Sequence, residues 1–227
     1  MQKIIDVTGL IQDGMWNYEP PFPFISIKPL PPVPWVQGPV YCEIFEGLHS
    51  QTGTYLETPA HFFGMEDSYL LHEVDINRIY EVPCVVLNIG LLEKPSDGNR
   101  YGITTMDLEN CKNANAIQEG DAILVGTGWG RYWMDPDYLN VSPYFTKSAM
   151  DWLISKKPSI LGADSPRWEN LENPQGFFPD FYAADILMVG PLVNLEKVTA
   201  YRCRLTALPL NVIKTSCAPA RVVLIEE

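Results

Sequence analysis

HSQTGTYLETPAHFF, residues 49–63, is the stretch on which the reading of this chain turns. Gln51, Tyr55, Glu57 and His61 all fall on odd positions, as does His49, and a strand sets such residues on one face. On a straight strand Gln51 and Glu57 would stand about 20 Å apart, at roughly 3.3 Å per residue. They share a site only if the chain curls. Gly53 and Pro59 are the residues that permit a curl, because glycine tolerates left-handed backbone and proline fixes φ in a turn. A carboxylate, Glu57, and an imidazole, His61, then become the natural centre of the segment.

Outward from this stretch, strand and helix patterns alternate. Residues 40–47 (VYCEIFEG) alternate apolar and polar side chains as a half-buried strand does. Residues 83–90, 121–126 and 158–163 are short β-branched or aliphatic runs. Thr104 with Asp107 forms a capping-box pattern that opens a helix through Cys111, and Thr146 precedes a helix that ends before Pro158. ADILMVG (184–190), LTALPLNV (205–212) and ARVVLIEE (220–227) supply later strands. These elements predict a mixed α/β domain spanning residues 1–227.

Bulk properties exclude several functions. The net charge of −12 is wrong for nucleic acid, whose phosphates demand clustered Lys and Arg, and for an anionic membrane surface. No secretory or membrane-spanning segment is visible. The five cysteines are scattered without a C-x-x-C pair, which predicts free thiols and a cytoplasmic protein. One stretch is compositionally unusual: a proline-rich arm at about 20–39, beginning PPFPFISIKPLPPVPW. Its interleaved Phe22, Phe24, Ile25, Ile27 and Trp35 predict an extended arm that packs on a body, its own or a neighbouring subunit's.

GTYLETPAHF (53–62) resembles the signature His-x-Gly-Thr-His-x-Asp-x-Pro-x-His of the cyclase family, the kynurenine formamidase-like and isatin hydrolase-like enzymes. Further similar segments follow in order: IIDVTGLIQDGMWNYE (4–19), ITTMDLE (103–109), EGDAILVGTGWGRYW (119–133), SAMDWLISKK into SILGADSPRWEN (148–170), VGPLVNLEKV (189–198) and TALPLNVIKTSCAPARVVLI (206–225). The resemblance implies a compact α/β/α, kynurenine formamidase-like (swivelling) single domain with a mixed sheet. It also implies a homodimer or homotetramer, and metal-assisted hydrolysis of an amide or ester in a small cyclic or aromatic substrate. Carried over by position, the family's first two metal histidines correspond to Gln51 and Tyr55, its aspartate to Glu57, and its third histidine to His61. A later histidine and glutamate have no counterpart in residues 175–195, where Gly190 stands at the glutamate position.

These departures decide the expected chemistry. A hydrolytic zinc or manganese needs three or more good ligands, and neither a neutral amide nor an un-ionised phenol is one. Glu57 and His61 are the remaining strong ligands if a metal is retained, as a single Zn or Mn; His49 could in principle complete such a site. The primary expectation is no cofactor, with Glu57 and His61 as an acid–base pair and Tyr55 and Gln51 as polar partners at a substrate carbonyl. Asp164 and Arg167 follow an apolar strand, where ligand crevices form, although an ion pair bracing a loop fits them equally. Trp16 and Trp129 complete the substrate-contacting candidates, although core or interface packing explains Trp129 equally well. Cys217 is read as a buried thiol. The expected function is an arylformamidase-like hydrolysis or cyclisation of a small molecule at an amide, lactone or ester carbonyl. The alternative is a non-catalytic small-molecule-binding protein on the same fold.

Overall fold

Four aliphatic runs form the centre of the molecule, three of them buried throughout and the fourth along its middle. The computed structural model describes residues 2–226. In chain order the strands and helices are β1 (Lys3–Asp6), β2 (Ser26–Pro29), β3 (Glu43–Glu46), β4 (Tyr55–Glu57), α1 (Ala60–Phe63), β5 (Val82–Asn88), β6 (Gly102–Ile103), α2 (Thr105–Glu109), β7 (Ala122–Gly126), β8 (Tyr144–Phe145), α3 (Lys147–Ser155), β9 (Ile160–Ala163), α4 (Phe178–Ala183), β10 (Leu187–Gly190), β11 (Cys203–Pro209) and β12 (Cys217–Glu226). Strands β5, β7, β9 and β10 pair in parallel. Both faces of a parallel sheet are covered, so β7, β9 and β10 read as unbroken apolar runs.

The other pairings of this main sheet are antiparallel and carry it round on itself, while β6 and β8 pair in parallel as a separate two-stranded sheet. The order of the main sheet is β1-β12-β11-β5-β7-β9-β10-β4, and β4 pairs with β12 as well as with β10. One edge of the long β12 holds β4 along Cys217–Pro219 and β1 along Val223–Glu226. The mixed α/β domain and mixed sheet agree with the sequence reading.

Alternate residues of each strand feed two cores. One core draws on every strand of the ring, including Leu56, Val86, Leu124, Ile160, Leu187, Leu205 and Leu224. The other lies on the opposite face, where Val85, Ile123, Leu161 and Tyr55 meet Met150 and Leu153 of α3 and Phe181 and Tyr182 of α4. Leu56 therefore points into the first core, while its neighbours Tyr55 and Glu57 point to the face that carries the helices.

The capping signals act as read. Thr104 Oγ1 accepts from Asp107 N–H and Asp107 Oδ2 accepts from Thr104 N–H, although the helix ends at Glu109 and Cys111 lies in the following turn. Thr146 Oγ1 accepts from Ala149 N–H at the start of α3. The stretch at 40–47 is a correction: its strand, β3, is exposed on both faces and pairs with β2 of the proline-rich arm, apart from the main sheet. Of the arm's apolar side chains, Ile25 is buried and Phe22 and Ile27 are half-buried, but Phe24 and Trp35 are 72% and 83% exposed. Most of the arm thus projects from its own body. No helix among the described residues is long and apolar enough to cross a membrane.

Candidate functional site

The curl at the start of β4 is real and rests on Gly53, whose φ of +70° favours glycine and whose missing Cβ makes room for the Ile11 side chain. Thr52 N–H closes the turn on His49 O, and Thr54 Oγ1 donates to Pro191 O. As a result Gln51 reaches back over the strand: its Nε2 lies 3.3 Å from Tyr55 OH and 3.3 Å from Glu57 Oε2. Pro59 then starts the single turn of α1, which sets His61 Nδ1 3.7 Å from Glu57 Oε2. The four predicted residues Gln51, Tyr55, Glu57 and His61 therefore stand together.

Glu57 is the most heavily held of them. It is fully buried, its Oε1 accepts a hydrogen bond from Tyr182 OH, and its Oε2 accepts from Gln51. Burial pushes its pKa up to about 8, against the lowering influence of those two hydrogen bonds. Among the described residues no Lys or Arg pairs with it. Burial also lowers the pKa of His61, which favours the neutral imidazole.

Tyr55 belongs to a directed chain of hydroxyls. Tyr18 OH must donate to the Pro166 carbonyl at 3.0 Å, so in the 3.1 Å contact between the phenols Tyr55 donates to Tyr18. Gln51 in turn donates to Tyr55. Burial, with Tyr18 and Glu57 nearby, holds the Tyr55 pKa well above its ordinary value.

These groups line one side of a cavity of about 390 Å³. Its other walls carry the rings of Tyr18, Phe22, Phe62, Trp168 and Phe178 beside non-aromatic residues such as Glu169, Leu171 and Met188. Tyr182 is sandwiched between Phe62 and Phe178, with centroids 5.5 Å and 5.8 Å away and planes within 17° of parallel. Arg167 stands in the wall with its guanidinium held by both carboxylate oxygens of Glu19, at 2.6 and 2.7 Å. Arg100 fixes that wall from behind by donating to the carbonyls of Arg167 and Glu169.

Three sequence candidates lie outside the cavity. Asp164 is buried beneath the following loop and accepts from Thr127 N–H, Thr127 Oγ1 and Trp129 N–H, so it braces backbone and does not pair with Arg167. Trp129 is buried with its indole N–H donated to Tyr138 O. Trp16 packs among Trp133 and Tyr138 and meets the edge of Tyr18, behind the cavity wall. His49 is also engaged elsewhere, its ring nitrogens facing Asn17 Oδ1 and Gln51 N–H.

Sequence reading missed Tyr18 and Tyr182 and set Cys217 aside. Cys217 is indeed buried, but its Sγ lies 4.0 Å from His61 Nδ1. Ligand atoms of Glu57, His61 and Cys217 all lie within 4.8 Å of one another. The cause is strand register: Cys217 of β12 is the direct antiparallel partner of Glu57 of β4. No local pattern in the sequence announces that pairing.

Comparison with known proteins agrees with this architecture. The family described as "Putative cyclase" matches residues 5–170. Isatin hydrolase of Roseibium aggregatum is 22% identical over 96% of this chain and 90% of its own length. Isatin hydrolase A from Labrenzia aggregata, solved bound to benzyl benzoate, superposes with a TM-score of 0.80 at 20% identity, over 99% of this chain and 93% of that one. The structure of a predicted metal-dependent hydrolase from Bacillus stearothermophilus covers all of both chains, with a TM-score of 0.74 and 24% identity.

Proposed function

The chain belongs to the cyclase family, and from that premise we propose that it hydrolyses a C–N or ester bond at the carbonyl of a small, flat aromatic molecule. We further propose that it does so without the paired-metal centre that the family signature encodes. The observation that carries the reading is the placing of Glu57 Oε2 and His61 Nδ1, 3.7 Å apart, in the wall of an aromatic cavity. Isatin is a cyclic amide fused to a benzene ring and benzyl benzoate is an aromatic ester. Both molecules join an amide or ester carbonyl to an aromatic framework, and the rings lining this cavity support a ligand of that class.

The residues present do not fit the paired-metal centre. Gln51 directs its amide N–H, not a lone pair, at Glu57. Tyr55 commits its proton to Tyr18, and its raised pKa opposes the ionisation that would make it a ligand. Gly190 offers no side chain where the family has a glutamate; it sits in β10 opposite Tyr55. The chemistry falls instead to the acid–base pair. His61, on the exposed turn α1, takes a proton from the attacking water. The water oxygen bonds to the carbonyl carbon, and the bond to the leaving nitrogen or oxygen breaks as Glu57 supplies its proton. Tyr182 and Gln51 hold the carboxyl in place through that transfer.

A panel of N-aryl formamides, isatins, aryl lactones and aryl esters tests the reading. Turnover that falls at least ~100-fold in Glu57→Gln and in His61→Ala is the expected result, within the usual range for losing a general acid or base. Saturable binding of these compounds with no turnover would instead mark a binding protein.

A further inference from the structure

We propose that Arg167 receives a free carboxylate on the substrate, so that the aromatic amide or ester taken by the cavity is itself an acid. Arg167 stands in the cavity wall with its side chain only 14% exposed. Its Nη2 donates to both oxygens of Glu19, at 2.6 and 2.7 Å, while its Nη1 and Nε make no hydrogen bond within the protein. A carboxylate well seated on a guanidinium takes two of its nitrogens, one oxygen to each. Glu19 therefore fills one corner of the group and leaves the fork unmatched. The Glu19 side chain is more than half exposed, and an ion pair that open to water is weak enough for a ligand to displace.

The charge behind the wall favours the same ligand. Arg100 is half-buried and gives every hydrogen bond to a neutral oxygen: the carbonyls of Ser142, Pro143, Arg167 and Glu169 and the Ser142 hydroxyl. Among the described residues no carboxylate pairs with it. Burial, and next repulsion from Arg167, bring its pKa down to about 10, against the opposing pull of Tyr144 and Glu172. Two neighbouring guanidiniums thus share one directly bonded carboxylate, that of Glu19, in a chain whose net charge is −12. An anionic ligand supplies the missing charge. Of the cavity's own carboxyls, Glu57, with its pKa at about 8, is protonated at neutral pH, and Glu169 spends Oε1 on Gly176 N–H. The loop that bears Arg167 is also fixed relative to β4: Tyr55 donates to Tyr18, and Tyr18 donates to the carbonyl of Pro166. The inference rests on the hydrolytic reading only in calling the ligand a substrate, and the carboxylate site is tested by binding alone.

The test compares the ortho, meta and para formamidobenzoates with the matching neutral formamidobenzamides, on the full-length protein. The three isomers step the carboxylate round the ring relative to the scissile formamide. By equilibrium dialysis, at least one acid should bind about 10-fold more tightly than its neutral partner, as a hydrogen bond to a charged group provides. If it is turned over, its advantage in kcat/KM should lie in KM. The negative field of the whole chain opposes any preference for anions, so the preference reads a local cation. Arg167→Gln should erase it, and Arg167→Lys, which keeps the charge without the fork, should retain only part. Thermal unfolding confirms that each variant is folded. Equal binding of acid and amide for all three isomers, or an acid preference intact in Arg167→Gln, would overturn the site. Acid preference with no turnover of any compound would uphold the site and overturn the hydrolytic reading. Turnover without acid preference would do the reverse.

Discussion

Tyr182, on helix α4, donates its phenolic hydrogen bond to the buried Glu57 carboxylate on β4 while its ring stays clamped between Phe62 and Phe178. The hydroxyl and the ring therefore serve different ends, and Tyr182→Phe separates them. The stack survives, and the loss of one partner of a buried carboxyl costs about 1–3 kcal/mol of stability. Hydrolysis should fall at least ~10-fold in kcat/KM, because the carboxyl loses the contact that orients it. Denaturant unfolding and steady-state kinetics on the same preparation check the two effects.

Leu56 lies between Tyr55 and Glu57 on β4 but points the opposite way, fully buried in the core that the ring of strands shares. Leu56→Ala should destabilise the fold by about 2–5 kcal/mol, through lost burial and the cavity left behind. Urea unfolding should show a lower midpoint with an unchanged slope.

Asp164 gives the stability a specific pH dependence. Burial pushes its pKa up to about 6 from an ordinary 3.8, despite the N–H donors from Thr127 and Trp129. A carboxyl that binds its proton more tightly in the folded chain stabilises fully below the unfolded pKa, and that contribution is lost as pH rises through about 6. Asp164→Asn should therefore flatten the fall in melting temperature between about pH 4 and 7. Glu226 acts in the opposite sense. Burial alone would raise it, but hydrogen bonds from Lys3, Ala200 and Thr199 outweigh that and hold it at about 2. Its contribution is present above about pH 4.5 and is lost as pH falls toward 2, so Glu226→Gln should matter little in strong acid.

The Glu19–Arg167 pair occupies the guanidinium that stands in the cavity wall. Glu19→Ala frees that cation for a ligand, and benzoate should bind several-fold more tightly, about 1 kcal/mol. Arg167→Ala should abolish the gain. Titration calorimetry with benzoate against neutral benzamide reads the difference.

Much of this was legible in the sequence because it is local. The aliphatic runs at 121–126 and 158–163 announced buried parallel strands, Thr104 and Thr146 announced helix starts, and Gly53 and Pro59 announced the curl that gathers Gln51, Tyr55, Glu57 and His61. What was illegible depends on register between distant segments. Cys217 meets His61 across 156 positions only because β12 pairs with β4, and Tyr182 meets Glu57 across 125 positions because α4 packs beside that strand. Residues 40–47 alternate as a half-buried strand would, yet β3 pairs with the proline-rich arm and leaves the body. Alternation identifies a strand but not what lies against its apolar face.

The most direct measurement is the initial rate of hydrolysis of an N-aryl formamide and an aryl lactone by chelator-treated, zinc-free protein, with Glu57→Gln beside it. The account predicts turnover by the metal-free wild type that falls at least ~100-fold in Glu57→Gln. Wild type inert to both substrates until metal is restored, or Glu57→Gln as fast as wild type, would contradict it.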